Sequence, residues 1–93
     1  MSVVIVGGNE CMIRRYKDLC EEYNCKVKVY PKLVGDFKNI GSPDLMVLFT
    51  NTMSHKMLRS AINAIKGQDV RVERCHNCSV NALKKILTLH AGA

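Results

Sequence analysis

A chain of 93 residues has room for one domain and one modest core. Its 47% hydrophobic and 24% charged residues are those of a folded globular domain, which excludes a disordered tail or a fibrous repeat. The formal net charge of +6 suits an anionic ligand, an acidic partner or a solvated surface, and no block of Lys and Arg singles out nucleic acid.

Trp is absent, so Val, Ile, Leu, Met and Cys must fill the interior. Five cysteines is an odd number, and no export signal precedes them. That combination points to reduced, metal-bound or redox-active thiols in a cytoplasmic protein rather than to a disulfide framework.

The apolar run at residues 3–6 is too short to cross a membrane and lacks a basic lead-in. It reads as the core of a first strand over residues 2–6, buried on both faces. Residues 11–23 follow as a helix, with Ile13, Tyr16, Leu19, Cys20 and Tyr23 on one face and Arg14, Arg15, Lys17, Asp18 and Glu21 opposite. Residues 26–30 alternate, Val27 and Val29 against Lys26, Lys28 and Tyr30, as an edge strand with one wet face does.

Residues 31–43 hold both prolines, Gly35 and Gly41, and read as a loop with at most a short helix around 36–40. Residues 44–50 form a second buried strand. A helix over 55–66 carries a stripe of Met57, Leu58, Ala61, Ile62 and Ile65, closed by Gly67. Residues 70–73 read as a third buried strand. The last helix, 80–89, buries Leu83, Ile86 and Leu87, with Ser79 or Asn77 as its N-cap. His90 reads as a helix-end cation or a solvated residue.

Right-handed crossovers then give one α/β domain over residues 1–93. It is a small three-layer sandwich, Rossmann- or flavodoxin-like, around a four-stranded, mainly parallel sheet of spatial order 2-1-3-4. In such a sheet every loop that follows a strand lies on one edge. That edge gathers Gly7, Gly8, Asn9 and Cys11 after the first strand and Met53, Ser54 and His55 after the third. After the fourth it gathers Cys75, His76, Cys78 and Ser79. Cys20 and Cys25 fall elsewhere and read as small buried hydrophobes.

Thiolate and imidazole suit zinc, iron or copper far better than magnesium or calcium. His55, Cys75, His76 and Cys78 are the metal-ligand candidates. Gly7, Gly8, Asn9, Cys11, Met53, Ser54, His55 and Ser79 are the candidates for touching a cofactor. Haem is the other candidate ligand, since Cys and His both serve as axial ligands and Met12, Met53 and Met57 could give an apolar rim. Ser79, not His, follows Cys78, so haem would be held non-covalently. A domain this small could hardly bury a porphyrin alone, so a homodimer is expected.

Alternatives stand beside this. Two thiols at a helix start can simply cap and pack. Gly7-Gly8 serves a tight strand-to-helix turn more readily than a phosphate cradle, and neither G-x-G-x-x-G nor a P-loop is present. A small-anion or phosphate module could use Gly7, Gly8, Asn51, Ser54 and Ser79 with two helix N-termini. A dithiol redox protein could use Cys75 and Cys78. A Cys–His nucleophilic pair lacks an orienting acid, so enzymatic catalysis is the weaker reading. No aromatic platform or helix-turn-helix supports a nucleic-acid partner.

Residues 3–8 as V-V-I-V-G-G, 50–55 as T-N-T-M-S-H and 79–87 as S-V-N-A-L-K-K-I-L resemble a bacterial domain-of-unknown-function family, DUF2325, over almost the whole chain. The resemblance implies a short α/β protein and supplies no activity. Ser54-His55 and the small-residue entry to the last helix match it. Cys11 and Cys75-His76-Asn77-Cys78 stand out as particular to this chain and suggest a ligand specialised to this branch.

Overall fold

The computed structural model describes residues 1–30, 41–77 and 79–90, so the short helix expected around 36–40 and the thiol of Cys78 lie outside the described residues. Four strands, β1 (Ser2–Gly7), β2 (Lys26–Tyr30), β3 (Leu45–Phe49) and β4 (Arg71–Cys75), form one parallel sheet in the order β2-β1-β3-β4. Three helices, α1 (Ile13–Glu22), α2 (His55–Ala64) and α3 (Val80–His90), complete the order. The fold is the three-layer α/β sandwich that the strand and helix patterns imply.

Alternation along the central strands sorts the helices onto the two faces. Val3 and Ile5 of β1 and Leu45, Val47 and Phe49 of β3 meet Tyr16, Leu19 and Cys20 of α1 and Leu83, Ile86 and Leu87 of α3. Val4, Val6, Met46 and Leu48 meet Met57 and Ala61 of α2 and the following Ile65. β1 and β3 therefore need apolar residues at every position, and all ten from Val3 to Gly7 and Leu45 to Phe49 are buried. Each fully buried aliphatic side chain of this kind contributes roughly 1.5–3 kcal/mol.

The helix ends differ slightly from their expected bounds. Residues Glu10–Met12 form a short 3-10 helix, capped by Asn9, before α1 begins at Ile13. Helix α2 ends at Ala64, and Gly67 takes φ +84° in the turn beyond it. The larger difference is β4. It was expected to be buried, yet Arg71, Val72 and Arg74 are exposed and Val72 keeps 39% of its surface. As the last strand in the order β4 has one neighbour among the described residues, so an apolar residue at 72 does not suffice to bury it. β2, the opposite edge, behaves as its alternation implies: Val27 and Val29 pack on the core while Lys26 and Lys28 are exposed.

Candidate functional site

The register sets Gly7, Phe49 and Cys75 side by side at the carboxyl edge. With adjacent strands about 4.8 Å apart, Cys75 stands roughly 10 Å from Gly7 across that edge. The three loops above this row are built quite differently.

After β1, Gly7 and Gly8 have φ of +85° and +92°, where an L side chain is strained. A Cβ on Gly7 would lie 2.8 Å from Met53 Cγ and 2.9 Å from both the Phe49 carbonyl oxygen and Thr52 Oγ1. One on Gly8 would press on the rings of Tyr16 and Phe49. Those rings pack with centroids 5.4 Å apart. The Gly8 amide donates to Thr52 Oγ1 at 2.6 Å, and that hydroxyl donates onward to the Phe49 carbonyl at 3.0 Å. Asn9 Oδ1 accepts from the Cys11 amide at 3.0 Å. The glycines therefore let the chain pack on itself, and the Gly8 donor is spent within the chain. Cys11 is exposed, and Met12 is half-buried against the core.

After β3, a 3-10 turn (Thr50–Thr52) leads to Met53, half-buried beside Gly7, and to Ser54, whose Oγ accepts from the Met57 amide at 3.1 Å and caps α2. His55 is exposed and lines a shallow groove with Lys56, Arg59, Ser60 and Asn63, all on α2.

After β4, the Cys75 thiol is half-buried against the α1/α3 core and donates to the Asn77 carbonyl at 2.9 Å. Asn77 Oδ1 accepts from the Ser79 amide at 3.0 Å, and Ser79 Oγ accepts from the Ala82 amide at 3.2 Å. Ser79 is thus the N-cap of α3. His76 is exposed. A groove of about 480 Å³ opens here, lined by Cys75, Arg74, Asn77, Ser79, Asn81 and Lys85, with Ala82 and Ile86 as its floor.

Topology brings these residues to one edge but not to one point. Cys75 packs on the face that holds α1 and α3, whereas His55 belongs to α2 on the other face. Among the described residues no three His, Cys, Asp or Glu side chains come together as a metal site.

Cys20 and Cys25 are buried as small core residues. Burial pushes the Cys20 thiol from 9.0 up to about 12, with the neighbouring Cys25 adding to it, so Cys20 stays protonated and inert. His90 stands in the last turn of α3, the helix-end place expected of it, but it is not solvated. Its Nε2 lies 2.9 Å from Glu73 Oε1, its side chain is 13% exposed, and its buried Nδ1 has no partner among the described residues. No spacing rule links residues 73 and 90; only the parity of Glu73 with Cys75 on the α3 face of β4 hints at it.

Fold and loops together define a small doubly wound α/β domain with thiols along its carboxyl edge. The chain belongs to a bacterial family: residues 2–90 match the one described as an uncharacterized protein conserved in bacteria, DUF2325. No curated protein and no solved structure matches the chain. Among the described residues no helix is long and apolar enough to cross a membrane.

Proposed function

We propose that the protein is a non-catalytic ligand-binding or sensing domain that holds haem at the carboxyl edge of its sheet, with Cys75 as the first-choice axial ligand. One observation carries this reading: a groove joins a half-buried thiol to the cations Arg74 and Lys85, and among the described residues no three donors come together there. A structural zinc site asks for four protein donors. Haem brings four nitrogens of its own and asks the protein for one or two axial ligands. Arg74 and Lys85 suit its carboxylates, and Met12 is a half-buried apolar group packed on the same face as Cys75. His55, His76, Cys11 and Cys78 are the second-choice ligands. The groove is small for a porphyrin, so a second subunit would supply the remaining cover.

Titration of the purified protein with haem, followed by absorbance, tests this. A Soret band should appear, and Cys75→Ser should shift it and weaken binding at least about tenfold, the cost of one good ligand. Cys20→Ser should leave it unchanged. A colourless protein that gives no Soret shift and contains no stoichiometric metal would sink the proposal.

The anion-binding alternative is weaker because Thr52, Ser54 and Ser79 already answer the amides it would use. The dithiol alternative predicts instead a two-electron potential for Cys75 and Cys78 that persists without haem.

A further inference from the structure

The sheet has two outer edges, and they are guarded differently. β2, K-V-K-V-Y, exposes Lys26 and Lys28, charges of one sign along an outer strand, a common device against strand-to-strand association. β4 carries Arg71, Glu73 and Arg74, charges of both signs, around the exposed Val72. Among the described residues nothing pairs with its outer edge.

The backbone of β4 limits how a second strand could add. The Arg71 amide donates inward to the Asp44 carbonyl at 3.2 Å. Alternate residues of a parallel strand bond to the same neighbour, so Arg71, Glu73 and Cys75 serve β3 while Val72 and Arg74 direct their amides and carbonyls away from it. Matching outward residues with outward residues puts the two-fold on a residue, and pairing at least three residues of each β4 leaves Val72, Glu73 or Arg74 as its centre. Centring on Arg74 sets that arginine against itself. Centring on Glu73 sets two glutamates face to face. Centring on Val72 pairs Val72 with itself, Arg71 with Glu73, Val70 with Arg74 and Asp69 with Cys75. Only that register opposes no like charges.

We propose that β4 is a self-association edge, joining two copies of this chain in an eight-stranded sheet by antiparallel pairing about Val72. Glu73 gives one carboxylate oxygen to His90 and its side chain is 38% exposed, so it can meet Arg71 of the second copy as well. The turn before β4 in the second copy then borders the Cys75 groove. The inference stands on the strand edge alone and does not rest on the haem reading.

Sedimentation of the full chain without added haem tests it. The wild-type protein should be a dimer. Val72→Pro removes an outward amide that the chain's own sheet does not use, and should weaken association at least about a hundredfold. Arg71→Glu should weaken it about tenfold, and adding Glu73→Arg should restore it beyond what Glu73→Arg does alone. If Val72→Pro fails to fold, Val72→Lys places two like charges at the same two-fold and should give a folded monomer. A wild-type monomer at the highest soluble concentration, a dimer that forms only with haem, or a dimer indifferent to these variants would overturn the proposal.

Discussion

The loops after β1 and after β4 lie on the same edge, two strands apart, and do opposite work. The first is locked. Gly7 and Gly8 bring the backbone against Met53, Thr52 and two aromatic rings, and a hydroxyl bridges it to β3. The second keeps a thiol at the mouth of a cationic groove, held by a single bond to Asn77. A Gly-Gly pair and a Cys-His-Asn run both look functional in a sequence, yet the first is a packing device and the second leaves its chemistry exposed. Ligand-directed effects should therefore concentrate at Cys75, and stability effects at Gly7.

The sharpest way to break this comparison is Gly7→Ala. The added carbon meets a carbonyl oxygen at 2.9 Å on a backbone of φ +85°, so neither side can yield cheaply. The loss should be about 3 kcal/mol or more, read as a fall in the urea midpoint. An unchanged midpoint would mean that the first loop is as free as the last.

The next effect contrasts the edge thiol with an interior one. The folded chain raises the Cys20 thiol to about 12 from 9.0. Below pH 9 both states keep the proton and the contribution is complete. Above it the unfolded chain ionises first, so stability falls as pH rises towards 12, by roughly 2 kcal/mol at pH 10.5. Urea unfolding of the wild type and of Cys20→Ala at pH 8 and 10.5 should show a steeper loss in the wild type. Parallel pH profiles would remove Cys20 from the account.

The smallest stability effect belongs to the edge itself. Cys75→Ser should change stability by no more than about 0.5 kcal/mol, since the thiol is half-exposed and makes one hydrogen bond. In the native protein an alkylating reagent should modify Cys11 and Cys75 well before Cys20 and Cys25, as peptide mapping by mass would show. Equal labelling of Cys20 would contradict the buried interior.

Much of this architecture was legible. Apolar runs at β1 and β3, an alternating β2 and the 3.6-residue stripes on three helices lead to the strand order through crossover handedness alone. β4 was misread because a strand's neighbours, not its composition, decide burial: Val70 packs on the α2 face while Val72, two residues on, meets solvent. That the candidate residues lie along one edge was legible too, but not their faces. Cys75 closes β4 and takes its face from strand alternation, whereas His55 opens α2, and only the side of the sheet that α2 covers sets the two apart. The His90–Glu73 contact has no local signature, because it depends on how far α3 runs back along β4.

The central position of β1 also bears on how the chain reaches its fold. Val3 pairs on one side with Val27 and on the other with Leu45, both far downstream. A strand buried along nearly its whole length must therefore wait for its second partner, and the loop closed in between carries an entropic cost before any pairing rewards it. Folding should be slow for so small a domain, with β1 and β2 associating through α1 before β3 arrives. On a ribosome adding roughly 5–20 residues per second, that wait lasts for seconds, during which the N-terminal strand is exposed on one side.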